Sequence, residues 1–166
     1  NLLKAMDSVL ERNPDIELVI LGRDKVIPRL IQRYCSRKVE ARVQHIVELP
    51  NEKMKDLLTT VDCLVMPSLV EAFGVIYLEG MACGTPVIAT TQGGAKEFIN
   101  EGWNGLLVDP LSVGKLASAV TSILANKALR DRLSRNGKET VKRFSTERML
   151  SETITAYSRV IAMRRP

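Results

Sequence analysis

Glu71 and Glu79 stand eight residues apart, on either side of the apolar run Ala72-Phe73-Gly74-Val75-Ile76-Tyr77-Leu78. A carboxylate placed among apolar residues is costly unless something pairs with it or binds to it. This spacing therefore predicts groups that hold a ligand. A carboxylate accepts hydrogen bonds from two vicinal hydroxyls, such as those of a ribose or a hexose. Between the two acids, Gly74 lets backbone approach a ligand closely. A helix opening after it presents free N–H groups and a positive dipole end, which together make an anion site. An anion pocket between two hydroxyl-binding acids suits a nucleotide-diphosphate sugar. The plainer alternative is that Glu79 pairs with a basic neighbour and Glu71 is solvated.

The elements that must position these residues read as an α/β fold. Short apolar, β-branched runs alternate with longer helical patterns, which predicts a parallel sheet. Strands are expected at 18–22, 43–47, 63–67, 86–90 and 105–108, several of them continuous apolar runs of the kind covered on both faces. Helices are expected near 2–12, 25–37, 52–60, 75–83 and 94–101, with Asn51 as the cap of the third. After Asp109-Pro110 the pattern is helical only. Ser112 caps one segment, a second covers about 129–144, and a third starts at Ser145 with Met149, Leu150, Ile154, Tyr157, Val160 and Ile161 on one stripe. No repeat or linker interrupts the pattern, so residues 1–166 read as one domain. Open α/β sheets bind ligands at the carboxyl ends of their strands, which is where Glu71 falls.

Composition narrows the function classes. The 166 residues are 45% hydrophobic and 26% charged, as in an ordinary globular domain. Neither an apolar run of membrane-spanning length nor a signal peptide is visible, which points to the cytoplasm. Three widely spaced cysteines and one histidine offer no metal cluster, and the cysteines read as buried free thiols. The net charge of +5 favours an anionic partner. One Trp and three each of Tyr and Phe, without basic interleaving, argue against nucleic acid. His45 reads as a satisfied core histidine, and Trp103-Asn104 as a turn pair. Arg23 and Lys25, just past a strand end, either reach a phosphate or form a solvated loop. Arg164 and Arg165, after the apolar stripe, allow a peripheral membrane contact, although a helix packing on another domain is the favoured expectation.

An ordered series of motifs carries a resemblance. Met66-Pro67-Ser68, Glu71-Ala72-Phe73-Gly74, Leu78-Glu79-Gly80-Met81-Ala82, Gly84-Thr85-Pro86-Val87-Ile88-Ala89-Thr90, Gly93-Gly94 with Glu97, and Gly105-Leu106-Leu107-Val108 follow in turn. The chain from Asn1 to about Tyr157 resembles the C-terminal, donor-binding half of retaining glycosyltransferases of the family 4 type. That resemblance implies one Rossmann-like, doubly wound half of a GT-B fold with a helical tail. By the same resemblance, Glu71 contacts donor-sugar hydroxyls and is the catalytic candidate, while Glu79 holds the ribose. Backbone N–H groups of Phe73, Gly74 and Val75 face the sugar and diphosphate. The edge at Gly22 and Arg23 and the turn from Val47 to Leu49 form the base slot. The substrate is a UDP- or GDP-sugar, no cofactor is tightly bound, and no metal is needed at the donor site.

The departures are specific. The family's diphosphate-clamping Arg and Lys follow the domain's first strand, which should precede Asn1, as should the acceptor domain. That strand belongs between those at 18–22 and 63–67. The expectation is therefore an absent central strand, a direct pairing of its two neighbours, or a strand supplied from elsewhere. Val47 replaces a usual Gly, and Gly80 replaces a common Ala at a helix-propensity cost of about 1 kcal/mol. Two alternatives to transfer remain at this stage. One is a nucleotide-sugar-binding module without turnover; the other is a GT-B nucleotide-sugar epimerase.

Overall fold

In a computed structural model, which describes residues 1–163, five parallel strands and eight helices alternate along the chain. The strands are β1 (Leu18–Leu21), β2 (Val43–Ile46), β3 (Leu64–Val65), β4 (Val87–Thr90) and β5 (Leu106–Val108). The helices are α1 (Leu2–Arg12), α2 (Ile27–Tyr34), α3 (Arg37–Glu40), α4 (Asn51–Thr60), α5 (Val75–Cys83), α6 (Val113–Ala125), α7 (Lys127–Val141) and α8 (Thr146–Met163). This is the Rossmann-like α/β class that the alternation predicts.

Strand positions agree with the expectation to within about a residue, except that β3 is only two residues long. The expected helix over 25–37 divides, because Cys35 adopts extended backbone and Ser36 then caps α3. Only a single 3-10 turn, Gly94–Glu97, forms from the pattern at 94–101. Asn51 is the first helical residue of α4 rather than its cap, and Pro50 holds the cap position. Ser112 caps α6 as expected, accepting from the Lys115 N–H at 3.4 Å. Asn126 does the same for α7 from Leu129 at 2.9 Å.

The strands form two sheets, β1-β2 and β3-β4-β5. β1 and β3 do not pair, which eliminates the direct pairing considered from sequence. A cleft of about 1080 Å³ lies between them instead. β4 is central to its sheet and buried along its whole length, with helices against it. One core cluster joins α1, β4, β5 and α6, where Met6, Val9, Ile88, Leu116 and Ile123 are buried. A second, around Tyr77, Met81, Val87, Phe98 and Ile99, lies beneath the loop that carries Glu71. Gly80 faces this second core: a Cβ there would stand 3.0 Å from Leu64 and 3.3 Å from Val87. The glycine that costs helix propensity thus lets α5 lie close on β3 and β4. The apolar stripe of α8 is exposed from Met149 to Ile161, with no buried residue in the helix. Arg164 and Arg165 lie outside the described residues.

Candidate functional site at the carboxyl ends of the strands

The loop from Ser68 to Gly74 leaves the carboxyl end of β3 and turns into α5. Gly74 makes the turn at φ 88° and ψ 51°, a left-handed conformation that favours glycine. A Cβ there would also strike the Tyr77 ring at 2.4 Å. Because the cap residue has no side chain, no side-chain bond closes the helix start. The first N–H groups of α5 and its dipole therefore remain an anion-binding end. Tyr77 donates its hydroxyl to the Met66 carbonyl at 2.6 Å, tying the first turn of α5 to the end of β3. Burial pushes the Tyr77 pKa up to about 12; the Glu71 charge adds to this, and a backbone hydrogen bond at Thr90 opposes it.

Glu71 is half-buried and Glu79 exposed, and neither makes an ion pair among the described residues. This corrects the premise of two buried acids, and it also removes the alternative in which Glu79 pairs with a basic neighbour. Glu79 lies one turn into α5, as the spacing required. The Phe73 side chain is structural: its ring packs on Phe98 and Phe144 at centroid distances of 5.3 and 6.1 Å. What Phe73 and Val75 offer a ligand is therefore backbone.

The Glu71 loop is held from behind by Gly93 and Gly94, on the turn after β4. The Gly94 N–H donates to the Glu71 carbonyl at 3.2 Å. Added Cβ atoms would meet the Glu71 carbonyl oxygen at 1.9 Å from Gly93 and the Ala72 carbonyl oxygen at 2.3 Å from Gly94. Sequence reasoning read this pair as bringing backbone near a ligand. The structure shows it bringing backbone against the acidic loop. Asn104 was likewise undervalued as a turn residue. It is buried, accepts from the Asn100 N–H at 2.7 Å, and donates to Phe98 O and Thr140 Oγ1, each at 2.8 Å. Trp103 stays half-exposed, its carbonyl accepting from Asn136 at 2.8 Å.

The remaining predicted residues gather at the carboxyl ends of β1 and β2. The Gly22 N–H donates to Ile46 O at 3.0 Å, and the His45 ring Nε2 lies 3.0 Å from Gly22 O. A carbonyl only accepts, so Nε2 carries the hydrogen and His45 is satisfied, as expected. Arg23 forms an ion pair with Glu48 and is 75% exposed, so its charge is engaged at the turn. Val47 is exposed and Leu49 half-buried, leaving an open lip beside Gly22. The structure thus builds two groups, Glu71–Glu79 with Gly93-Gly94 and Gly22-Arg23 with Val47–Leu49. The cleft between β1 and β3 separates them, with Leu21, Met66 and Ile76 in its lining. Among the described residues, no three His, Cys, Asp or Glu side chains cluster as a metal site. The cysteines are free and half-buried, and burial with the neighbouring Asp62 charge pushes Cys63 up to about 12.

Parallel strands, a glycine-started helix at a strand end and a flanking acidic loop define one Rossmann-like half of a GT-B architecture. The chain aligns with sucrose-phosphate synthase from Thermosynechococcus elongatus at a TM-score of 0.84 and 29% identity, over 97% of this chain and 42% of that one. Residues 1–140 match the model of glycosyl transferases group 1, and the chain belongs to that family. It is 31% identical, over 93% of its length, to the GDP-mannose-dependent monoacylated alpha-(1-6)-phosphatidylinositol monomannoside mannosyltransferase of Corynebacterium glutamicum. A D-inositol 3-phosphate glycosyltransferase of Corynebacterium urealyticum is 28% identical over 94% of the chain. The chain spans 42% and 38% of the length of these two relatives. No helix among the described residues is long and apolar enough to cross a membrane.

Proposed function

We propose that this chain is the donor-binding half of a retaining glycosyltransferase that uses a UDP- or GDP-sugar. The observation that carries the reading is the uncapped start of α5 behind Gly74, with Glu71 on the loop before it and Glu79 one turn beyond. The diphosphate lies at the helix N-terminus without a bound metal. Glu79 accepts from the ribose hydroxyls, and Glu71 from hydroxyls of the sugar. The base lies against Gly22 and the turn from Val47 to Leu49. The acceptor hydroxyl, from a glycan, a lipid-linked sugar or a polyol, attacks the anomeric carbon on the face that the diphosphate leaves. The departing phosphate oxygen takes its proton. The GDP-mannose dependence of the Corynebacterium glutamicum relative supports the donor class, and that relative's greater length places acceptor recognition outside these residues.

Calorimetric titration with UDP, GDP and ADP tests this. One nucleotide binds selectively, and Glu79→Ala weakens it by about 10- to 100-fold, the equivalent of about 1.5–3 kcal/mol for hydrogen bonds to a charged acceptor. Glu71→Ala leaves nucleoside diphosphate binding intact and erodes discrimination among nucleotide sugars. The 166 residues alone transfer no sugar. Binding that is absent, or that is equal in both variants and the parent, refutes the site.

A further inference from the structure

β1 and β3 each pair along one edge only, β1 with β2 and β3 with β4. The hydrogen bonds Leu18 N to Arg42 O and Gly22 N to Ile46 O turn the even-numbered residues of β1 toward β2. Leu64 N to Pro86 O and Met66 N to Ile88 O turn the even-numbered residues of β3 toward β4. Backbone groups in a parallel ladder alternate from side to side, so those of Val19, Leu21, Cys63 and Val65 face away from their partners. These four residues all line the cleft, together with Leu2, Met6, Ile16, Leu57 and Val120. The cleft is thus walled by two rows of unpaired donors and acceptors and floored with apolar side chains. That combination suits a β-strand and no compact ligand. One strand residue fills a block of about 3.3 by 4.8 by 10 Å, or about 160 Å³. At 1080 Å³ the cleft therefore holds about six residues, the span of Ile16 to Leu21 beside it.

We propose that this cleft receives one extended apolar strand, parallel to β1 and β3, carried by polypeptide that leads into α1. Crossover connections between parallel strands are right-handed and short, and α1 enters β1 with Leu2 and Met6 against the cleft. The segment before α1 is therefore the one that reaches the cleft most directly. Relatives that match nearly the whole of this chain, such as an uncharacterised glycosyltransferase of Methanocaldococcus jannaschii, extend well beyond the shared region, with 42% of that protein covered. The inserted strand joins the two sheets into one. Because the cleft reaches Leu21, Met66 and Ile76, it also fixes the base-slot residues relative to the Glu71 loop.

Amide hydrogen exchange on the 166-residue chain tests the inference. Three states are compared: free, with the peptide acetyl-Lys-Val-Ile-Val-Ile-Gly-Lys-amide, and with that strand fused ahead of Asn1 through a Gly-Ser linker. The amides of Val19, Leu21, Cys63 and Val65 exchange quickly in the free chain and slow at least tenfold in the other two states. A peptide with both Val residues replaced by Pro cannot complete the ladder, and it binds at least tenfold more weakly. Protection confined to one strand overturns the proposal, as do equal binding of the two peptides and a fused strand without effect. Slow exchange already present in the free chain also overturns it. A second readout rests on the proposed donor site: the fused chain binds UDP or GDP more tightly than the free chain. Protected amides without that gain refute the donor reading and leave the strand inference standing.

Discussion

Gly93→Ala is the sharpest test of how the acidic loop is held. Gly93 has φ 86° and ψ −161°, a region essentially confined to glycine, where any other residue costs about 1–3 kcal/mol. The added methyl also lands 1.9 Å from the Glu71 carbonyl oxygen. A normal contact needs more than an ångström of displacement, and backbone rather than a flexible side chain must move. Overpacking of this kind costs about 1–3 kcal/mol. The moving carbonyl is also the acceptor for the Gly94 N–H. The sum is about 3 kcal/mol, or a Tm lower by about 6–12 °C for a chain of this size. Thermal unfolding and urea titration measure the stability, and calorimetry with UDP and GDP measures the site. Nucleotide binding falls by more than the unfolded fraction explains, because the loop carrying Glu71 is displaced in the folded state. Gly114→Ala is the control: nothing lies within 4 Å of a Cβ there, and the helical substitution stabilises by about 0.5–1 kcal/mol. A Gly93→Ala protein with parental Tm and parental nucleotide binding refutes the argument that Gly93 buttresses the loop.

Two further outcomes follow from buried groups. Asn104→Ala leaves the Asn100 N–H and the Phe98 carbonyl without their buried partner, lowering the urea midpoint by the equivalent of about 2–4 kcal/mol; an unchanged midpoint refutes that role. Cys63 and Tyr77 both have folded-state pKa values raised to about 12, above their unfolded values of about 9 and 10. Their contribution is therefore complete below about pH 9 and is lost as the pH rises toward 12. Urea midpoints at pH 8, 9.5 and 10.5 should fall in that order, less steeply in Cys63→Ala, and a flat profile contradicts the burial assigned to these groups.

The site's order along the chain was legible in the sequence because it is local. A glycine before an apolar helix start, an acid three residues before it and another five residues after it need only 3.6-residue periodicity to be placed. The five strands were legible because continuous apolar runs between helical patterns have few other destinations. Other features depended on residues that approach only in space. Gly93 and Gly94 look like an ordinary loop until the Glu71 carbonyl stands against them. Asn104 looks like a turn residue until Thr140, far along the chain on α7, arrives as its partner. Arg23 reads as a free cation until Glu48 engages it at the next strand end.

Sequence alone thus determined the fold class, the strand-loop-helix carrying Glu71 and Glu79, and the family. All of these rest on patterns within a few residues of one another. Tertiary structure alone decided that β1 and β3 stand apart across an apolar cleft, and that a glycine pair holds the acidic loop. Both depend on which backbone edges and carbonyls meet once the helices have packed, and no local periodicity encodes that.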